Sequence, residues 1–553
     1  MKRSWLGRFW YSFSGGGLLL GTLFFAASLT PTLLPRTFLT QGVLSGASFA
    51  AGYGIGVFGR WLWNYMELPK PSGRTLRIAN LVAAGFCASV AVAFLWQAAQ
   101  WQNSIRQLMG LDPVPSAHPL EVGLIALATF IVLIALARLF ALTFSAISKW
   151  VGRFVPRRVS GVIGFAAALA LFWLAISGVL FRVALHAADS SYREFDALVE
   201  PDTEQPTDPL KTGSSASLLD WDDLGRAGRE FVSSGPTGKD ISSFTGKNAL
   251  EPIRVYVGLR SGETPEERAK LALEELKRVG GFKRSMLIVV TPTGSGWVDP
   301  AGMKSIEYLQ HGDVASVAVQ YSYLASWLSL LTEPGYGTDA SRALFREVYG
   351  YWTTLPRDSR PRLYLHGLSL GAMDSEQSTD VIEVLGDPYN GALWSGPPYA
   401  SRLWRWITAS RNPGSPAWLP RFRDGSFVRF MNQDGAAPQS GSGWGPIRTV
   451  YLQYASDPVT FFDYRDLYRE PDWMKPPRGP DVSPQLRWYP VVTFLQLALD
   501  MAMATTTPIG YGHVYAPEHY IDAWIAVTDV RDWSQQEIMR LKQHLAESVA
   551  PPS

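Results

Sequence analysis

Cysteine is almost missing from this chain. The single Cys87 among 553 residues excludes an intramolecular disulfide and any multi-cysteine metal site. Histidine is scarce as well, at seven residues, so chemistry that needs an imidazole has few side chains to draw on. Net charge is only +2, and no basic tract occurs outside the short loops named below, which excludes nucleic acid as an expected partner. The most informative absence is local: no Asp, Glu, Lys or Arg occurs in 9–35, 37–59, 78–105 or 159–181.

Each of these stretches is long enough to cross a bilayer, which takes about 20 apolar residues. A fifth, 122–144, contains only Arg138, close enough to one end to snorkel toward the head groups. Length and lack of charge disfavour the alternative of buried helices in a water-soluble protein. Lys2, Arg3 and Arg8 ahead of an apolar run with Ala26-Ala27-Ser28 resemble a secretory signal. Cleavage there would leave four further segments with an unpaired topology, so the first span is read as retained.

Basic residues set the expected orientation. Lys2, Arg3 and Arg8 precede the first span, Arg60, Lys70, Arg74 and Arg77 lie between the second and third, and Lys149, Arg153, Arg157 and Arg158 lie between the fourth and fifth. The alternate loops hold only Arg36 and Arg106. The positive-inside rule then puts the amino terminus in the cytoplasm and everything beyond about Arg182 outside it. The expected organisation is a transmembrane domain of about five helices over 1–185, a polar linker over 186–248 with one short helix near Trp221, and an α/β domain over 249–553.

That last region alternates short β-rich runs with helical ones. Strands are expected at 253–259, 286–291, 316–321, 362–366, 391–395, 427–432 and 449–454, and helices at 341–354, 370–385 and 517–528. Thr264-Pro265-Glu266-Glu267 opens a further helix with an N-cap, a proline at the first helical position and acids in the first turn. Strands separated by helices indicate a mostly parallel sheet covered on both faces.

Residues 363–373 read Leu-Tyr-Leu-His-Gly-Leu-Ser-Leu-Gly-Ala-Met, a strand that breaks on Gly367-x-Ser369-x-Gly371 and continues as helix. A serine nucleophile on such an elbow needs a strained backbone and neighbours without a Cβ. Serine chemistry further needs a base, a carboxylate to hold it, and oxyanion donors. Three histidines follow Ser369 in the chain: His513, His519 and His544. His544 sits in a charged terminal helix and reads as a solvated surface residue. His513, in a Gly-rich loop, is preferred as base, with His519 the alternative. His366, directly ahead of the elbow, reads as strand-end packing.

For the carboxylate, Asp457 and Asp434 both follow strands; Asp457 is preferred and Asp434 is the alternative. One oxyanion donor would be the backbone N–H of Leu370. A second would come from the glycine-containing loop 291–297, with Gly294 or a neighbour as donor, the alternative being an ordinary tight turn. This chemistry calls for no metal and no organic cofactor.

The order Ser369, Asp457, His513, the elbow and the Gly-rich loop after an earlier strand resemble the α/β-hydrolase superfamily. More narrowly, five amino-terminal spans followed by Gln-Tyr-Ser-Tyr-Leu-Ala-Ser-Trp-Leu-Ser at 320–329, Gly-Leu-Ser-Leu-Gly-Ala-Met-Asp-Ser-Glu at 367–376 and Tyr-Ala-Ser-Asp-Pro-Val at 454–459 resemble a bacterial family of membrane-anchored α/β-hydrolases. The likeness covers nearly the whole chain. It implies the fold and a serine nucleophile by position, and it supplies no substrate.

The expectation is therefore a multi-pass protein of the bacterial inner membrane, in contact with the lipid bilayer, whose extracytoplasmic domain is a serine ester hydrolase acting on an envelope lipid or other apolar ester. An acyltransferase with the same triad is one alternative, and a non-catalytic membrane scaffold or transport-associated protein another. Between acid and base, 484–508 is apolar nearly all round. It reads equally as a lid, a helix dipping into the outer leaflet, or a buried core helix.

Overall fold

The computed structural model describes residues 13–69, 73–173, 204–324, 335–436, 443–528, 530 and 532–549. It divides into two compact units, one made of Met1–Leu185 with Phe462–Thr507, the other of His186–Phe461 with Pro508–Ser553.

The first unit is helical: α1 Gly15–Ser28, α2 Phe38–Tyr65, α3 Gly73–Leu108, α4 Pro119–Val151 and α5 Arg157–Trp173. Three of these, α2, α3 and α4, are long and apolar enough to cross a membrane. Helix α1 has 14 residues, about 21 Å at 1.5 Å each, short of the ~30 Å hydrocarbon layer. It stops at Ser28 because Pro31 and Pro35 follow, and α2 restarts on the Thr37 N-cap. Residues 174–181 of the fifth expected span lie outside the described residues. Small residues let the helices close up. A Cβ on Gly56 of α2 would lie 2.7 Å from Gly17 Cα of α1, and one on Gly46 would lie 2.5 Å from Ala126 O of α4.

The apolar stretch 484–508 belongs to this unit. Its helix, Val492–Ala502, packs on α1 and α2, and its one charge is matched. Asp500 Oδ1 lies 3.3 Å from Arg36 Nε with both side chains fully buried, and Asp500 Oδ2 accepts the Leu33 N–H at 3.0 Å. Gln496 donates to the Thr30 carbonyl at 3.2 Å, and Arg36 donates to Gln41 Oε1 at 2.9 Å. Of the three readings open for this stretch, a buried core helix describes its polar face.

The second unit is built on an eight-stranded sheet in the order β1-β3-β2-β4-β5-β8-β6-β7. The strands are β1 Ile253–Val257, β2 Met286–Thr291, β3 Val314–Val319, β4 Arg362–Leu368, β5 Gly391–Ser395, β6 Val428–Asn432, β7 Gly435–Ala436 and β8 Arg448–Leu452. All pairs are parallel except the short β6–β7 hairpin. Every residue of β1, β2 and β3 is buried, as a sheet covered on both faces requires.

The expected linker is folded over its described part. Helices α6 Gly225–Ser233 and α7 Gly238–Thr245 precede β1, and Leu224, Phe231 and Ile241 are buried. Gly228 permits the contact, since a Cβ there would stand 2.5 Å from the Tyr256 ring of β1. Apolar positions hidden among serines and glycines gave this stretch the look of a tether.

Helix α8 Pro265–Arg278 forms on the expected Thr264 N-cap, which Glu267 completes as a capping box, and buries Ala269, Ala272, Leu273 and Leu276. Helices α9 Pro300–Leu309 and α10 Tyr336–Thr354 cross over next, and α11 Leu370–Gln377 follows β4. It ends sooner than the expected 370–385. Helix α12 Arg402–Ala409 follows β5, and α13 Pro517–Thr528 and α14 Gln535–Val549 close the chain. Because the long strands run parallel, β2, β4, β5 and β8 all end on one edge of the sheet. Ligand sites of such sheets form at that edge.

Candidate active site

Ser369 stands directly after β4, at the N-cap of α11, with φ 57° and ψ −126°, a backbone region that side chains rarely occupy. Such strain costs on the order of 1–3 kcal/mol and persists only where the surroundings impose it. Two glycines impose it here. A Cβ on Gly367 would meet the Gly371 carbonyl oxygen at 2.4 Å, and one on Gly371 would meet the Thr291 carbonyl oxygen at 2.3 Å. The Ser369 N–H is held by Ser395 O at 2.9 Å, at the end of β5. Ser369 itself is largely buried, at 8% exposure.

Asp457 follows β8, the strand beside β5, and is fully buried. Its Oδ1 accepts the Val459 N–H at 2.9 Å. Its Oδ2 lies 2.7 Å from His513 Nδ1 and accepts the Tyr515 hydroxyl at 2.8 Å. That contact keeps the imidazole proton on Nδ1 and leaves the lone pair on Nε2, which has no hydrogen-bond partner among the described residues. Ser369 and the ring share a neighbour: a Cβ on Gly396, next to the Ser395 that holds Ser369 N–H, would lie 2.7 Å from His513 Cε1. A buried carboxylate held on an imidazole and a strained serine thus lie at one sheet edge, the parts that general-base activation of a hydroxyl requires.

The other candidates lie elsewhere or are engaged. Asp434 is an exposed residue of the β6–β7 turn, on the far side of β8 from β5. His519 Nδ1 is 2.6 Å from the Tyr454 hydroxyl, and burial holds its pKa down to about 4, so the ring is neutral and already engaged. His366 is buried with Nδ1 2.9 Å from Leu393 O, and burial takes it to about 4. His544 is not a solvated residue. It is half-buried, its ring centroid 4.6 Å from Phe244, with Nε2 3.2 Å from the Tyr308 hydroxyl.

Leu370 opens α11, so its N–H belongs to the first helical turn, where donors lack intrahelical partners. Its side chain packs with Tyr321, Ala340 and Met373 in a buried apolar cluster. The loop 291–297 abuts the start of α11 through Thr291. Within it, Thr293 N–H is used by Trp297 O at 2.9 Å and Gly296 N–H by Thr293 O at 2.9 Å. Gly294 lies between these two turns. No group of three or more His, Cys, Asp or Glu set to hold a metal occurs among the described residues.

A family model described as alpha/beta-hydrolase family matches residues 253–541, more than half of the chain. The chain belongs to this alpha/beta-hydrolase family. A second model, described as the alpha/beta-hydrolase family N-terminus, matches residues 29–236 and takes in α2 to α5. No curated protein and no solved structure matches the chain. Family membership carries a hydrolase-type fold; the chemistry has to be argued from the site.

The sequence patterns above do not single out one buried carboxylate of this unit. Asp299 is buried at the N-cap of α9, and its Oδ2 accepts the Tyr520 hydroxyl at 3.0 Å. The Asp-Pro pair before apolar Met303, Ile306 and Leu309 was the available clue, since it is an N-cap followed by proline at the first helical position.

Proposed function

We propose that the hydrolase unit is a serine ester hydrolase. Ser369 is the nucleophile, His513 the general base, Asp457 the acid that orients it, and the N–H group of Leu370, with that of Gly294 or a neighbour, receives the oxyanion. His513 Nε2 takes the Ser369 proton as Oγ attacks the ester carbonyl, and returns it to the leaving alcohol. Water, activated by the same nitrogen, then releases the acyl group. The observation that carries the reading is the 2.7 Å contact of His513 Nδ1 with buried Asp457, with Nε2 left unpartnered.

The substrate we propose is an ester-linked acyl group on an envelope lipid or other apolar ester. Its support is the apolar cluster around Leu370 and the membrane-length helices of the same chain. The charge bias of the loops supports a bacterial inner-membrane location with the hydrolase unit outside the cytoplasm.

The test is labelling of the full chain in detergent with a fluorophosphonate probe. Wild type should label, and Ser369→Ala should not. A folded wild type that stays unlabelled would overturn the proposal in favour of a ligand-binding scaffold.

A further inference from the structure

Between β5 and β8 the chain has an uneven composition. Residues 402–448 hold seven arginines, no lysine, no glutamate and only two aspartates, a surplus of five positive charges in a chain whose net is +2. The same stretch holds four tryptophans and three phenylalanines. Spaced along the sequence, the arginines form no tract, and they come together only in the fold.

Helix α12 divides by face. Trp404 and Ile407 are buried, and Trp404 Nε1 donates to Gln453 Oε1 at 2.7 Å, which fixes the helix on the unit. Arg402 and Leu403, four and three positions before Trp406, are exposed on its side of the helix, and Trp406 itself is 55% exposed. One side of the helix serves the core, and the other lies open.

The loop after α12 continues the open side. The Phe422 ring lies 5.5 Å from that of Trp406, and the Arg423 guanidinium lies 5.4 Å over the Phe422 ring. A turn in which Gly425 N–H donates to the Phe422 carbonyl, at 3.1 Å, leads to Phe427, which is 54% exposed. Arg429 Nε donates to the Gly425 carbonyl at 2.9 Å, and its guanidinium sits 3.9 Å over the Trp444 ring. Asn412 holds the loop in this form, its N–H donating to the Arg421 carbonyl at 2.7 Å and its side-chain amide to the Arg423 carbonyl at 2.6 Å. The surface is preformed.

Its positive charge is not cancelled locally. Asp424 accepts from the Ser426 N–H at 3.1 Å and hydroxyl at 2.7 Å, and Asp434 is exposed in the β6–β7 turn. Arg402 and Arg405 form no ion pair among the described residues. Guanidinium forks match the paired oxygens of a phosphate, whereas exposed indole and phenyl rings favour a medium that is apolar at one end and wet at the other. A phospholipid surface offers both at neighbouring depths. The membrane-length helices of the same chain keep such a surface within reach of the tethered unit.

We propose that the open face of α12, with the loop 410–427, docks the hydrolase unit on a bilayer surface of anionic phospholipid. The arginines meet the phosphates, and Leu403, Trp406 and Phe427 enter the layer just beneath them. The proposal rests on the reading of the chain as membrane-embedded and is independent of the triad.

The experiment uses the full chain in nanodiscs of phosphatidylglycerol or of phosphatidylcholine. Cys87→Ala removes the lone thiol, and Ala409→Cys, at the exposed end of α12, carries a nitroxide. Collision of the nitroxide with oxygen, which concentrates in the bilayer, is compared with collision with a water-soluble nickel chelate. In phosphatidylglycerol the oxygen-to-nickel ratio should stand several-fold above that in phosphatidylcholine, and about 0.5 M salt should bring the two together. Each arginine removed should lower the contact constant about fivefold. Arg402→Gln with Arg405→Gln and Arg423→Gln should therefore abolish the difference between lipids, while melting and fluorophosphonate labelling in detergent stay as in wild type.

Equal ratios in the two lipids, or a high ratio that the arginine variant leaves in place, would overturn the proposal. So would an immobilised nitroxide shielded from both reagents, the mark of a protein contact. A chain that an alkaline wash releases from the bilayer, yet that is still drawn to phosphatidylglycerol vesicles through these arginines, would remove the transmembrane reading and leave the surface in place.

Discussion

Tyr515 and His513 meet on one atom. Oδ2 of Asp457 accepts the Tyr515 hydroxyl at 2.8 Å and lies 2.7 Å from His513 Nδ1. The tyrosine fixes the carboxylate from the side that the imidazole does not use, while Val459 N–H holds the other oxygen at 2.9 Å. Asp457→Asn should therefore cut the labelling rate about ten-thousandfold, as loss of the orienting acid does in serine proteases. Tyr515→Phe removes one of several donors and should cost about tenfold, near the value of one charge-assisted hydrogen bond. Both variants should melt close to wild type, and equal rates for wild type and folded Asp457→Asn would remove this residue from the site.

The alternative acid and base should behave differently. Asp434 is exposed in a turn, so Asp434→Asn should change stability by under about 0.5 kcal/mol and leave labelling intact. His519 is bonded to the Tyr454 hydroxyl, whose oxygen in turn accepts the Ala516 N–H at 3.0 Å. His519→Ala should cost stability, about 1–2 kcal/mol, with labelling reduced only in proportion to unfolding. Chemical denaturation beside labelling separates the two effects.

Two further buried acids give the hydrolase unit a pH signature. Burial raises Asp374 from 3.8 to about 7, against bonds from the Thr338 hydroxyl at 2.7 Å and from the Tyr321 hydroxyl. Burial likewise raises Glu376 from 4.5 to about 7, against bonds from Leu403 N–H at 2.9 Å and the Tyr451 hydroxyl at 3.0 Å. Between roughly pH 4 and 7 the folded unit then binds more protons than the unfolded chain, so stability falls as pH rises. Their contribution is full below the unfolded values and lost on passing about 7. Melting temperature at pH 5.5 should exceed that at pH 8, and Asp374→Asn with Glu376→Gln should flatten the difference. A wild-type profile that rises toward pH 8, unchanged in the double variant, would contradict this account.

The buried pair of the helical unit should respond asymmetrically. Asp500→Ala leaves Arg36 without its carboxylate in a site fully closed to solvent, a loss of about 3–5 kcal/mol. Replacing both with apolar residues, as Arg36→Met with Asp500→Leu, should recover much of it. Thermal melting in detergent checks this, and a double variant no better than the single one would mean that the pair is worth more than its desolvation.

How far the sequence could be read depended on the range of the interactions involved. Strands β2 and β5 coincide with their expected limits because buried parallel strands are short apolar runs closed by Gly, Pro or Thr. Helix α13 began at Pro517 as expected, for the local reason that proline suits a first turn. Asp457 is preferred over Asp434 in the sequence, but the local pattern of the two is alike, because both follow strands. What distinguishes them is that β8 enters the sheet between β5 and the earlier strand β6, a fact about pairing rather than order. Asp299 was passed over because its partner Tyr520 lies 221 positions away. The affiliation of 484–508 was hidden for the same reason.

The bond between Arg36 and Asp500 joins residues 464 positions apart, so the helical unit cannot be finished when its helices first emerge. At synthesis rates of about 5–20 residues per second, Arg36 waits roughly 25 to 90 s for its carboxylate. Its own hairpin provides for that interval. The guanidinium is held by Gln41 Oε1 at 2.9 Å, by the Ser28 carbonyl at 3.3 Å and by the Thr32 hydroxyl, all translated within a few residues of it. Most of the hydrolase unit, through Phe461, leaves the ribosome during the wait. Completion of the helical unit is thus an event late in translation, timed by a segment that follows the bulk of the hydrolase unit.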